Sequence, residues 1–331
     1  MRTKLGMIKK YICYKTKKTD LPFYPDRIYL ELTNHCNFQC IMCPNGKGLM
    51  KREKGYMDYD LAKNIIDEMA PRADTIVLHI WGESLYHPRI FDIIKYCQKY
   101  NVRTELSTNT SLLNEKISRD IIDSGLSTIY LCIDGATKET YEKVRKNGDY
   151  ESAIKNVEDF LRIKNEENKN KNKKRPLVNI QIIVMKETKD EIDIFRRKWS
   201  VEGVDKINVK TLDTWGGQVP EISDLAVSVN SLAVREKDNP INRFHCPNLW
   251  YHVHIYYDGS VVCCDRDFDA RYPLGNVKGG VMKIWNGPKM QELRRKHIEK
   301  DLVDIPSCGN CNEWCWWQPT LLSSWGNIPK E

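Results

Sequence analysis

The sequence predicts an α/β protein: a partial (β/α)6, TIM-like barrel over residues 25–215, followed by a small cysteine-rich domain. Three observations carry this. Strand-like and helix-like segments alternate from residue 28 to about 211, as in a parallel sheet wrapped by helices. Six such units are too few for an eight-fold barrel and enough for a partial one. After residue 245 the alternation stops, and a hairpin, one helix and a run of cysteines replace it.

Residues 1–24 are a basic segment ahead of the barrel. IYLEL (28–32) reads as the first strand and LAKNIIDEM (61–69) as an amphipathic helix. TIVLHI (75–80) is the second strand, and the helix at 90–100 puts Ile90, Ile93, Ile94 and Cys97 on one face. The alternation continues through VRTELS, a helix near 115–124, TIYLCI (128–133) and a helix near 151–163. The all-polar run 164–175 reads as a solvated loop. VNIQIIV (178–184), a helix near 190–198 and KINVK (206–210) complete the barrel. Residues 216–245 form the expected linker, with Gly217, Pro220 and Pro240 as breakers. In the closing domain, 246–331, HVHIYY and SVVCC flank an Asp258–Gly259 hairpin turn, with a helix near 288–299 beyond it.

The net charge of +7 is local. Residues 1–20 carry seven Lys/Arg against one Asp, and residues 164–175 carry six against two Glu, so the rest of the chain is slightly acidic. A solvated tail and loop account for that better than a nucleic-acid surface does. No apolar run is long enough for a membrane span, and the N-terminus lacks a secretory signal pattern. A cytoplasmic protein without membrane or nucleic-acid partners is expected. In a reducing compartment, twelve cysteines point to metal ligation or catalysis rather than disulfides.

Residues 33–44, TNHCNFQCIMCP, place Cys36, Cys40 and Cys43 as Cys-x3-Cys-x2-Cys on the loop after the first strand. Three thiolates at this spacing wrap one face of an iron–sulfur cube. The fourth iron is left open, as in catalytic rather than structural metal centres. A structural zinc needs four ligands, and only His35 is at hand as a fourth.

With this loop the chain resembles the radical S-adenosylmethionine (SAM) superfamily over residues 25–215. The resemblance implies a [4Fe–4S] cluster whose open iron binds SAM. Reductive cleavage of SAM then yields methionine and a 5′-deoxyadenosyl radical that takes a hydrogen atom from the substrate. It also implies an electron donor such as a flavodoxin or ferredoxin. Met42 stands where many members have an aromatic residue near the adenine. Trp81-Gly82-Glu83 matches a Gly-Gly-Glu-like turn, so Gly82 and Glu83 are expected at the SAM ammonium, with Trp81 replacing the first glycine. Ser107 and Asn109 in LSTNTSLL are further expected SAM contacts, and Arg145 matches an arginine that pairs with the SAM carboxylate. Gln181 and Met185 on and after the fifth strand are weaker matches, near the nucleoside.

HCPNLWYHVHIYYDGSVVCCDRDF followed by IPSCGNCNEWC resembles the SPASM/twitch extension of that superfamily. The resemblance implies one auxiliary [4Fe–4S] cluster held by Cys246, Cys264, Cys308 and Cys311. A zinc ribbon is the alternative for four such cysteines. Strand alternation turns Cys263 to the face opposite Cys264, and Cys315 stays open.

The same alternation puts Cys132 and Asp134 on one face of TIYLCIDG, toward the substrate space. A thiol there returns a hydrogen atom to a carbon radical in an epimerase, whereas a dehydrogenase needs a base and an electron acceptor. The plain alternative for Cys132 is a small buried side chain. Sequence reasoning favours a small-molecule substrate, a sugar, cyclitol or aminoglycoside-like alcohol undergoing oxidation or epimerisation. A peptide- or protein-modifying maturase is the alternative, weakened by the short segment before the first strand. A non-catalytic electron-transfer protein has no use for Glu83, Asn109 and Arg145.

Overall fold

The computed structural model describes residues 4–171, 175–227, 243–316 and 319–320. The chain enters through helix α1 (Lys4–Lys15). Six parallel strands follow in sequential order: β1 (Arg27–Leu30), β2 (Thr75–Val77), β3 (Arg103–Thr108), β4 (Thr128–Cys132), β5 (Leu177–Val184) and β6 (Lys206–Thr211). The crossovers carry α2 (Tyr59–Met69), α3 (Ile90–Gln98), α4 (Glu115–Ser124), α5 (Lys138–Val144), α6 (Tyr150–Lys171) and α7 (Ile192–Trp199).

Strand alternation separates the two faces. In β3, Thr104, Leu106 and Thr108 are buried, while Glu105 and Ser107 face the lumen. The helices cover the outer face with the expected stripes: Ala62, Ile65, Ile66 and Met69 from α2, and Ile90, Ile93, Ile94 and Cys97 from α3. Each fully buried Ile or Met contributes roughly 1.5–3 kcal/mol. Asp58 caps α2 by accepting from the amides of Asp60 (2.9 Å) and Leu61 (3.0 Å).

Beyond β1 the sheet does not end. The hairpin β7 (His252–Ile255) and β8 (Ser260–Val262) joins it, with β7 parallel to β1 in the register Arg27↔His252, and β9 (Gly275–Asn276) pairs with β8. Gly259 closes the hairpin at φ +84, as the expected Asp-Gly turn requires. The last long helix is α8 (Pro288–Glu299). The C-terminal segment is thus a continuation of the barrel sheet on the β1 side.

Two expectations are corrected. The basic N-terminus is not a solvated tail. Cys13 and Tyr14 of α1 are buried, and the Tyr14 hydroxyl donates to the His245 carbonyl at 2.9 Å. Just after α1, the Lys18 carbonyl accepts from Trp250 Nε1 (2.8 Å) and the Thr19 carbonyl from Arg294 (2.7 Å). Nor is 164–175 a loop from its start, because α6 continues to Lys171. Lys, Glu and Asn are all compatible with helix, so polarity alone did not mark the end. Lys164 is itself buried, and its ammonium donates to the Gly203 carbonyl (2.7 Å) and Asp205 (3.0 Å). The expected linker holds one short helix, Pro220–Ser223, and its 228–242 portion lies outside the described residues. No helix among the described residues is long and apolar enough to cross a membrane.

Candidate active site

The loop after β1 is fixed on three sides. Asn34 donates to the Glu53 carbonyl (2.8 Å) and accepts from the Gly55 amide (2.9 Å). Gln39–Cys40 pairs antiparallel with Arg145–Lys146, just beyond α5. At the end of β2, the Glu83 amide donates to the His35 carbonyl at 2.7 Å. Gly82 sits in that turn at φ +74, and a Cβ there would stand 2.6 Å from the His35 carbonyl oxygen and 2.7 Å from that of Thr33. Only glycine fits, because both neighbours are backbone. Gly82→Ala adds left-handed strain of about 1–2 kcal/mol and overpacking of about 1–3 kcal/mol. It is expected to lower the iron and sulfide retained at the N-terminal thiols after anaerobic reconstitution. Wild-type content in that variant would show that the turn does not hold the loop.

Cys36, Cys40 and Cys43 are electrostatic neighbours of one another in this loop. Burial pushes the Cys36 thiol up to about 11 and the Cys40 thiol up to about 12. Opposing this, the Phe38 amide bonds the Cys36 sulfur, the Gly46 and Asn45 amides bond the Cys43 sulfur, and the Arg145 guanidinium lies near all three. Amide donors and one cation around three thiols, Cys40 buried, Cys43 half-buried and Cys36 open to solvent, suit thiolates bound to an iron–sulfur cube with one accessible face. Among the described residues, no three His, Cys, Asp or Glu side chains close on a point as they would around a single ion. His35 stacks on Tyr56 (centroids 4.7 Å apart), and its carbonyl serves the Glu83 turn.

The other expected SAM contacts surround this loop, with altered partners. Glu83 is buried, and burial raises its carboxyl. It accepts from the Asn109 amide (2.6 Å) and the Leu85 amide (3.2 Å). Asn109 Nδ2 lies 3.9 Å from Cys36 Sγ and donates to Asn37 at 2.9 Å. Met42 is buried, and its carbonyl accepts from Trp215 Nε1 at 2.9 Å. Arg145 was expected at the SAM carboxylate and Asp134 in the substrate space. In the structure they pair with each other. Asp134 Oδ2 accepts from Arg145 Nε (3.0 Å) and Nη2 (2.7 Å), and Oδ1 accepts from the Ile183 amide (2.7 Å). Asp134 has no exposed surface, and a buried guanidinium demands such a counter-ion.

Cys132 does face the lumen. Its sulfur lies 3.0 Å from Ser107 Oγ and accepts from Gln181 Nε2 at 2.7 Å, so β3, β4 and β5 each supply one group, Ser107 and Cys132 near the C-terminal ends of their strands and Gln181 from the middle of β5. Deeper in the lumen, Arg27 grips Glu105 through two bonds (3.1 and 2.6 Å), and Tyr29 stacks on His254 at 4.4 Å.

The C-terminal thiols also assemble. Cys308 has Cys264, Cys311 and Cys246 as electrostatic neighbours, with Arg266 beside Cys264 and Cys311. Four thiols and one buried cation suit a closed cluster site. Cys263 is not turned away as expected. Its sulfur is 3.2 Å from Ser307 Oγ, with the Cys264 and Cys308 thiols as its electrostatic neighbours. β8 ends at Val262, so strand alternation no longer governs Cys263. The Cys315 side chain lies outside the described residues.

Sequence reasoning missed the contact between the two thiol sets. Trp81 packs on Trp215 (4.6 Å) and edge-on to Phe268 (6.1 Å), and Trp215 reaches Met42 between Cys40 and Cys43. Arg266 pairs with Asp213 at 2.6 Å and approaches Glu313 at 3.6 Å. The signal available was the tryptophan in place of the first glycine of the turn; Trp215, the last residue of the expected barrel, carried none.

Comparison with known proteins agrees with this geometry. The model of the radical SAM superfamily matches residues 30–197, and that of the SPASM iron–sulfur cluster-binding domain matches 246–312. The chain is 28% identical to the tungsten-containing aldehyde ferredoxin oxidoreductase cofactor-modifying protein of Pyrococcus furiosus, covering 91% of this chain and 92% of that one. It is 28% identical to the mycofactocin maturase MftC of Mycobacterium ulcerans over 39% of this chain, spanning 35% of that protein. Streptococcus suis SuiB bound to precursor peptide SuiA has the same fold, with a TM-score of 0.62 at 14% identity, over 86% of this chain and 70% of that one.

Proposed function

The chain belongs to the radical SAM superfamily and carries a SPASM iron–sulfur domain, and on that premise we propose that it is a maturase. It modifies a peptide, or a group carried by another protein, by hydrogen abstraction. The open side of the barrel carries this reading. Among the described residues β6 pairs on one side only, and Lys206, Lys210 and Thr211 are exposed along it. A polypeptide segment can reach the strand ends there without being enclosed. The cofactor-modifying relative in Pyrococcus furiosus, similar over nearly the whole chain, supports this reading over the sugar or cyclitol expected from the sequence.

When bound, SAM and the N-terminal cluster supply a 5′-deoxyadenosyl radical for hydrogen abstraction. Cys36, Cys40 and Cys43 hold that cluster, and Cys246, Cys264, Cys308 and Cys311 hold the auxiliary one. Glu83 orders the turn and strand end that would hold SAM, through the Leu85 and Asn109 amides. Asp134 fixes the Arg145 guanidinium beside Cys40. Ser107, Cys132 and Gln181 form the polar wall that meets the substrate. A reducing cytoplasm keeps these thiols available.

The test is to supply the cluster-loaded protein, SAM and dithionite with size-separated extract from its own host. The polypeptide fraction should stimulate 5′-deoxyadenosine formation and should contain a chain of altered mass. Stimulation by the small-metabolite fraction alone would return the substrate to the sugar or cyclitol class.

A further inference from the structure

Two adjoining concavities, of about 480 and 400 Å3, share Arg271 on the outer surface where the cluster loop's continuation meets the C-terminal segment. Lys51 and Arg52 line the first, and Lys289 and Arg295 the second. Arg52 is held by two bonds to buried Glu31 (2.9 and 2.6 Å), so the charge of the rim rests on Lys51, Arg271 and Lys289. Asp269 accepts from the Lys51 (2.6 Å) and Arg52 (3.3 Å) amides, and Glu292 pairs with Arg295. The floor is partly apolar, with Leu49 exposed beside Phe268.

This surface connects inward to both thiol sets. Gln218, in its wall, donates to the Arg266 carbonyl (2.8 Å), two residues after Cys264. The same nitrogen donates to the carbonyl of Trp215, whose indole reaches Met42. Phe268 continues through Trp81 to Trp215. None of the lumen groups Ser107, Cys132 or Gln181 lines either concavity. A substrate bound here does not meet the site of hydrogen abstraction, whereas an electron donor needs only proximity.

We propose that this basic surface docks an acidic one-electron carrier protein that reduces the chain's iron–sulfur centres. In each encounter the carrier is oxidised by one electron and the chain is reduced by one, with no atom transferred. The proposal rests on the radical SAM chemistry and not on the polypeptide substrate. A cationic rim with a small apolar centre suits a transient, electrostatically steered partner.

The test measures binding of an acidic flavodoxin and an acidic ferredoxin to the full, cluster-loaded chain. At least one should bind, more weakly as salt is raised above about 0.1 M, where screening sets in within about 10 Å. Lys51→Glu/Arg271→Glu/Lys289→Glu should weaken that binding by about tenfold or more, and the glutamine triple variant by less. Reversal at Lys116, Lys155 and Lys189, elsewhere on the surface, should leave it unchanged. SAM cleavage driven by dithionite should be the same in all variants, while carrier-driven cleavage falls with binding. Equal carrier binding by wild type and the glutamate triple variant overturns the proposal. So does loss of dithionite-driven cleavage in the glutamine variant, which would place these residues in the chemistry itself. Loss of binding to the modified polypeptide, with carrier binding intact, would assign the surface to the substrate and also overturn it.

Discussion

Replacing Cys36, Cys40 and Cys43 together by Ala removes one iron–sulfur cluster, leaves the other, and abolishes SAM cleavage. The loop loses every thiol it has, and no fourth ligand is positioned to compensate, since the His35 ring lies on Tyr56. The second thiol set is built from residues 246–311 and keeps its own cation, Arg266, so its iron should remain. Iron and sulfide analysis with electron paramagnetic resonance of the dithionite-reduced variant checks this. Loss of both clusters would mean that the two sites assemble as one unit through the Trp81, Trp215 and Phe268 contact. Retention of both would remove Cys36, Cys40 and Cys43 from the ligand set.

Arg145→Met should destabilise the fold by about 3–5 kcal/mol, the cost of leaving one charge of a buried pair uncompensated. Asp134 has no exposed surface and would keep only the Ile183 amide. The double variant Arg145→Met/Asp134→Leu should recover most of that loss, because removing both partners leaves no buried charge unpaired. Urea unfolding of the three proteins checks both statements. A double variant as unstable as Arg145→Met would show that the guanidinium acts chiefly through Cys40 and the loop.

The parts of the site that are local in the chain were readable from the sequence. Cys-x3-Cys-x2-Cys occupies eight consecutive residues, so its spacing alone brings the thiols to one loop. The stripes of α2 and α3 and the Asp258–Gly259 turn were legible for the same reason: each is written in a single short periodicity or turn signal. What escaped depends on distant pairing. Nothing in HVHI announces that it will lie parallel to β1. The Asp134–Arg145 bond spans α5 and is decided by burial, which composition does not reveal. Cys263 was misplaced by extending strand alternation one residue past the strand's end. Trp215 was given no role because its partners, Met42 and Trp81, lie more than a hundred residues earlier.

The most direct test of the central claim is whether the reconstituted protein, kept free of oxygen and supplied with dithionite, converts SAM to methionine and 5′-deoxyadenosine. The geometry of the Cys36–Cys43 loop, with Gly82 and Glu83 behind it and Arg145 beside it, predicts that both products form in equal amounts. They should be absent from the variant lacking the three loop cysteines. A wild-type protein that carries both clusters, binds SAM and yields no 5′-deoxyadenosine would contradict the account.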